Sequence, residues 1–357
     1  MAGRHVSPAR AGLRGPGRLD GVDLARGLAV LSMLVAHLSP VHGLLDVSEY
    51  LTAPLFAVVI AVSMALRLQT GAVHPGRFVA DNVLRGLLLL VVGLLLQQTY
   101  RQVDVVLPAL GVLVVVLAPL AVALRRLPVL TVGLAVATAV LGPVVTDRAR
   151  DAVVAGRVTG PLHDLLLWTA AGEHYRLVSF LPMALGGLAL TLLLPRLDGA
   201  LPAAVTGGVL VGAAGLVHLM GTRTESGAAA YSGTTAEVLA ATFLACGVLA
   251  LALAVTATAR DHVPRLSTVL QPLLATGRLA LTGYVLQILV LALVSLARGG
   301  ASDDSLLLLA LTTAVVVGAC TLLDRRFGTG PLELLARAVR VPRRPDPAVA
   351  GRHVTRR

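Results

Sequence analysis

The sequence contains no lysine at all: its thirty basic side chains are all arginine. It is also short of charge and of rings, with 14% charged residues and 3% aromatics. A soluble domain carries about a quarter charged residues, because a polar surface must cover its core. That scarcity excludes an ordinary water-soluble globule. The two cysteines, Cys246 and Cys320, lie inside apolar blocks with neither metal-ligand spacing nor a disulfide framework, and they read as inert packing residues. No small-residue cleavage site follows the first apolar block and Arg26 interrupts its start, so this block reads as a retained helix and not a signal peptide. No internal repeat is evident, which counts against the inverted-repeat transporters.

What is there is apolar length. Hydrophobic residues make up 56% of the chain, the mean hydropathy is +0.83, and the apolar blocks run to eighteen residues or so. That length crosses a hydrocarbon core of about 30 Å. The pattern predicts an all-α polytopic integral membrane protein with about ten transmembrane helices, near 22–40, 50–68, 83–100, 105–124, 128–146, 177–195, 200–220, 236–258, 279–297 and 305–323. Residues 1–18 and 342–357 read as disordered basic tails flanking a membrane domain at 19–341. Residues 330–341 are expected to form a short amphipathic surface helix, and Gly208-x-x-x-Gly212 to pack helices together, as do Gly186 and Gly187. Arginine at the expense of lysine, with abundant Ala, Val, Leu and Gly, is the bias of a GC-rich genome and suggests an actinobacterial source.

A net charge of +11 and a pI of 11.1 raise nucleic-acid binding as a reading. The positions of the arginines answer it. With the N-terminus in the cytoplasm, 23 of the 30 fall on the inner side of this span map. They therefore read as topology signals, and the positive-inside rule puts both termini in the cytoplasm of a multi-pass plasma-membrane protein. The same map gathers Tyr50, Tyr100, Trp168, Tyr175 and Tyr231 at outer helix ends, with His37, His42, His163, His174 and His218 and the acids Asp46, Glu49, Glu173, Glu225 and Glu237. An aromatic belt is one account. An outward pocket for a polar, sugar-like substrate is the other.

The first helix carries the clearest constellation. Asp23 and Arg26, three residues apart, share a face at the inner mouth. Eleven residues beyond Arg26, about three turns and about 16 Å along the axis, His37 returns to nearly the same face near the outer end. Ionisable groups inside a membrane are costly and point to function, although snorkelling of Arg26 and capping by His37 would also account for them.

Several stretches, in order, resemble one family. Arg18-Leu-Asp-Gly-Val-Asp-Leu-Ala-Arg26-Gly-Leu-Ala-Val-Leu with a downstream His is similar to the opening of membrane acyltransferases of the heparan-alpha-glucosaminide N-acetyltransferase type and their YeiB-like bacterial relatives. Leu55-Phe-Ala-Val58 with Ser63-Met-Ala-Leu66, Phe180-Leu-Pro-Met-Ala-Leu-Gly-Gly-Leu188 and Tyr231-Ser-Gly-Thr-Thr-Ala-Glu237 resemble later segments. Thr276-Gly-Arg-Leu-Ala-Leu-Thr-Gly-Tyr-Val-Leu-Gln287 and Arg326-Phe-Gly-Thr-Gly-Pro-Leu-Glu333 resemble the C-terminal signatures. The chain departs from the pattern at Gly283, where relatives tend to carry Asn, and at Tyr231, where a His often stands.

The resemblance implies acyl transfer across the membrane, from cytoplasmic acyl-CoA (acetyl-CoA) as donor substrate to an extracytoplasmic hydroxyl or amine on a sugar, lipid headgroup or small molecule, with no metal. On that reading Arg26, Arg85 and Arg278 would bind the phosphates of CoA. His37 would act as general base or acyl acceptor, oriented by Glu49 or Asp46. Ser232, Thr234, Tyr284 and Gln287 would bind the acceptor. Other readings stay open: Arg85 and Arg278 meeting lipid phosphates, Tyr284 and Gln287 as interhelical hydrogen-bond glue, the whole chain as a transporter or a non-catalytic scaffold. The partners expected are membrane lipids and the extracytoplasmic glycan or small-molecule acceptor, with no nucleic acid and a homodimer left open.

Overall fold

The computed structural model of the chain describes residues 19–340, apart from 41–42, 72–73, 100–102, 198 and 300–304, and the side chain of residue 44. The two basic tails, His42 and Tyr100 lie outside the described residues. Among these residues there are helices and no strands. In chain order they are α1 (Asp20–Leu38), α2 (Val47–Gln69), α3 (Pro75–Thr99), α4 (Leu107–Leu124), α5 (Pro128–Val154), α6 (Pro161–Leu166), α7 (Leu177–Leu193), α8 (Ala200–Gly221), α9 (Thr235–Asp261), α10 (Pro264–Arg278), α11 (Ala280–Ala297), α12 (Leu306–Phe327) and α13 (Pro331–Ala338). α6 runs into a π turn, Leu167–Ala171, that carries Trp168. All but α6, α10 and α13 are long and apolar enough to cross a membrane, ten spans among the described residues. The chain is an all-α polytopic membrane protein.

Successive spans alternate in direction. The N-terminal ends of α1, α3, α5, α8 and α11 therefore share one face, here the arginine face, with the C-terminal ends of α2, α4, α7, α9 and α12. The positive-inside rule assigns that face to the cytoplasm. α1, α2, α4 and α9 form the centre, each with 61% of its span buried, while α8 and α12, at 17%, ring them. Leu201, Val205, Val209, Leu216, Leu307 and Leu311 point outward from these two, as lipid-facing residues should.

Three differences from the hydropathy reading have physical causes. α3 begins at Pro75, eight residues before the apolar run, because Pro at the first position and a polar but helix-compatible first turn extend it. Arg85 thus lies ten residues, about 15 Å, into α3 and not at its end. α10 was not anticipated, since fifteen residues of mixed polarity make no span signal. It buries Leu270, Leu274, Ala275, Thr276 and Gly277, and stops at Leu279, whose backbone (φ −109°, ψ 34°) separates it from α11. Finally, Gly208 and Gly212 face open space, and the close packing on α9 falls to Gly207 instead, against Leu251 and Gly247. Gly186 and Gly187 do pack, against Thr242 and against α2 at Val58. The surface helix expected at 330–341 is present as α13.

One crossing decides where the site lies. α10 meets α1 backbone to backbone: a Cβ on Gly277 would collide with the carbonyl of Asp23, and one on Gly27 with that of Leu273. Glycine at both positions lets α10 wedge beside α1, and brings Arg278 next to the start of α1.

Candidate functional site

The wedge opens a cleft on the arginine face, a cavity of about 370 Å3 lined by Asp23, Arg26, Ser63, Arg67, Arg85, Arg278, Glu333 and Arg337. It shares Arg26, Arg85, Arg278 and Glu333 with a second cavity of about 310 Å3 that continues inward past Phe56, Leu107 and Leu110 to Tyr284. All three arginines expected from the sequence therefore line one cleft, and Arg67 and Arg337 join them.

The five arginines are not alike. Arg26 donates to Asp23 (2.7 Å) and to Ser63 Oγ (2.5 Å), whose own proton goes to the carbonyl of Val59. Asp23 is fully buried, so breaking that pair would strand a charge. Arg278 makes a two-pronged contact with Asp324, 2.9 and 2.5 Å, which holds its guanidinium above its ordinary pKa. Arg67 lies 5.9 Å from the centre of the Phe78 ring. Arg85 has a buried Nε with no hydrogen-bond partner. Glu333 reaches from α13 to the break between α10 and α11: Oε1 accepts from the amides of Leu281 and Thr282 (both 3.0 Å), and Oε2 from the Thr282 hydroxyl (2.5 Å). A carboxylate there satisfies two of the open donors at the start of α11 and complements its dipole.

At the inner end of the cleft the Tyr284 hydroxyl accepts from the Val106 amide, 3.1 Å away. One turn further along α11, about 4.5 Å, Gln287 is completely buried and its Nε2 stands 3.0 Å from Nδ1 of His37. An amide nitrogen can only donate, so Nδ1 accepts and the proton rides on Nε2 in this arrangement. The Gln287 Oε1 is buried without a partner. No hydrogen bond or ion pair joins His37 to Glu49. The pairing of His37 with Gln287, residues 250 apart, was not visible in sequence; each was singled out on its own.

Glu49 belongs to a second cluster, on the opposite face. There Tyr231 meets Tyr175 edge-on (ring centres 5.7 Å) and His174 edge-on (5.3 Å), and His174 Nδ1 lies 2.6 Å from Asp104. Tyr50 donates to the carbonyl of Ala228 (2.9 Å) and packs edge-on with His218. Burial pushes the Tyr231 phenol up to about 12, with Glu49 and Glu237 adding to the rise, and pushes Tyr175 up as well. Tyr231 is the only described non-glycine residue with positive φ (61°). Its carbonyl accepts from Arg176 Nη2 (2.6 Å), and Gly233 (φ 75°) leaves room for that guanidinium, which a Cβ would strike. Arg176 is 1% exposed, with Nε and Nη1 unpartnered, and burial lowers its pKa against the opposing pull of Glu237. Ser232 and Thr234 are engaged locally: they lie 3.1 Å apart, and Thr234 accepts from the Glu237 amide as the N-cap of α9.

Several of these residues escaped sequence reasoning. In sequence Arg67, Arg337 and Arg176 read only as topology charges, and Asp324 and Glu333 find their partners 46 and about 50 residues away in the chain. Among the described residues no group of three or more His, Cys, Asp or Glu is arranged to hold a metal.

A comparison with curated proteins finds no match. Residues 176–341, from the buried arginine at the mouth of α7 through α13, match the family described as a protein of unknown function (DUF418). The match takes in Tyr231, Arg278, Tyr284, Gln287, Glu333 and Arg337, and leaves Arg26, His37, Arg67 and Arg85 outside it.

Proposed function

We propose that the chain is a plasma-membrane acyltransferase of the heparan-alpha-glucosaminide N-acetyltransferase and YeiB-like kind. In this reading it moves an acyl group from cytoplasmic acyl-CoA to a hydroxyl or amine on the far side of the membrane. One observation carries the reading: an arginine-lined cleft leads inward to Tyr284, one helical turn short of buried Gln287 and its half-buried partner His37. A polyanionic donor would anchor its phosphates at the mouth and run its acyl arm along the apolar walls toward the imidazole.

The chemistry requires a lone pair on the nitrogen that faces the acceptor. With Nδ1 accepting from Gln287, Nε2 holds the proton and cannot be a base. Turning the Gln287 amide over puts its unpartnered Oε1 against an Nδ1 proton and frees Nε2. His37 then takes the acceptor's proton as the acceptor oxygen or nitrogen attacks the thioester carbonyl; the C–S bond breaks and the thiolate leaves with that proton. Direct attack by Nε2, giving an acyl-imidazole, is the alternative order. Gln287 is a positioning residue in either case.

The test is incubation of membranes with radiolabelled acetyl-CoA. Label should pass to an envelope component with the wild type and not with His37→Ala made to the same level. Transfer by His37→Ala would end the proposal. One observation favours a transporter instead: α10 and α11 are broken at Leu279 with charged groups gathered at the break, as in discontinuous transporter helices. Solute uptake with no acyl transfer would decide for it.

A further inference from the structure

The five arginines of the cleft are unequally committed. Arg26 is paired with Asp23, and Arg278 with Asp324. Glu333, the remaining acid in the lining, is taken up by the α11 amides and Thr282. Arg67, Arg85 and Arg337 are left without a carboxylate at ion-pair distance among the described residues. They come from three elements: the last turn of α2, the inner part of α3, and α13. Arg85 feels both other members of the trio and Arg340; the opposing charge acting on it is Asp81. Asp81 and Arg340, one of each sign, bear on the trio from outside the lining and offset each other. With Arg26 and Arg278 set aside in their ion pairs, three arginines against Glu333 leave two positive charges on the trio. Like charges held together cost free energy unless a ligand is there to justify them.

We propose that Arg67, Arg85 and Arg337 form a seat for a phosphomonoester. Such a group carries about −1.5 to −2 charge at neutral pH and offers three strong acceptor oxygens, matching two net charges and three guanidinium forks. A carboxylate would neutralise only half of the surplus. The buried, unpartnered Nε of Arg85 supplies the donor at the bottom of the seat, and Arg337, exposed on α13, closes it from the solvent side. Arg26, which ties α1 to Ser63 of α2, and Arg278, which ties α10 to α12, are assigned to holding the helices together and not to the ligand. The seat deepens the donor-cleft reading and rests on it for its place, but its measurement needs no acyl transfer, so the two can fail separately.

The experiment uses the full chain purified in neutral detergent, titrated with adenosine 3′-monophosphate and, as the uncharged control, adenosine. The nucleotide should raise the unfolding midpoint and adenosine should not. Arg85→Gln and Arg337→Gln should each weaken the nucleotide by about tenfold or more, the scale of one lost charge-assisted contact. Arg325→Gln, on the same face but outside the cleft, should bind as the wild type does. Arg337 is exposed, so its variant folds even if Arg85→Gln does not. A second arm compares nanodiscs of phosphatidylcholine with and without phosphatidic acid. Stabilisation by phosphatidic acid that Arg337→Gln abolishes, with no nucleotide binding, supports the seat and makes its ligand a lipid headgroup. Binding of neither probe, or binding that these substitutions leave unchanged, overturns the proposal.

Discussion

At the scale of single residues, the cleft and the opposite cluster pose different questions. Among the described residues the Gln287 side chain has no hydrogen-bond partner other than His37, so its substitution separates positioning from packing. Gln287→Glu keeps the shape and the acceptor that Nδ1–H needs, whereas Gln287→Leu removes it. On the acyl-transfer reading Gln287→Leu lowers kcat by about a hundredfold with KM for the donor little changed, Gln287→Glu retains more, and the pH profile of kcat shifts between them. Equal loss in both variants would reduce Gln287 to a packing role.

Tyr231 gives a prediction that needs no reaction. Its phenol is pushed from 10.0 to about 12 by burial, so the folded chain keeps a proton that the unfolded chain loses first. Where the folded state binds more protons, stability falls as pH rises, here between pH 10 and pH 12. Tyr231→Phe should therefore show a shallower loss of unfolding midpoint across that window than the wild type, with part of the slope remaining from Tyr175. Parallel curves would show that Tyr231 does not couple to folding.

Among the elements, the break between α10 and α11 concentrates the unusual packing. Gly277→Ala places a methyl group against the carbonyl of Asp23. Backbone cannot yield as a side chain can, and a cost of about 1–3 kcal/mol is expected. Glu333→Ala strands the amides of Leu281 and Thr282 and should cost about 1–2 kcal/mol, the range of a lost helix cap, with Glu333→Gln recovering part of it. Both are measured as unfolding midpoints in detergent; a Gly277→Ala variant as stable as the wild type would mean that α10 can pull away from α1.

The elements also show what hydropathy can and cannot read. The spans were legible because lipid demands about eighteen apolar residues in a row, and α13 because its charged and apolar residues alternate at helical spacing. α10 was not, since a fifteen-residue helix of mixed polarity packed beside α1 needs no continuous apolar run. In the site, Arg26 and His37 stood out because they lie on one helix. The Arg278–Asp324, Glu333–Thr282 and His37–Gln287 contacts join different helices, and no local spacing encodes them.

Across the whole molecule, the arginine distribution and the fold together divide the protein into two faces. Cys246 and Cys320 are both buried, so the natural chain should resist membrane-impermeant thiol reagents. Against that blank background, Ser226→Cys should label in intact cells and Arg337→Cys only after the membrane is opened. The reverse pattern would invert the topology and with it the donor side.

The π turn after α6 has an optical consequence. Trp168 is the only tryptophan in the chain, and it sits on the face opposite the arginine-lined cleft. The protein therefore carries one native fluorophore on the side opposite the cleft. Emission that changes when an anion is added at the arginine face would report a signal carried from one side of the bilayer to the other, without any label being attached.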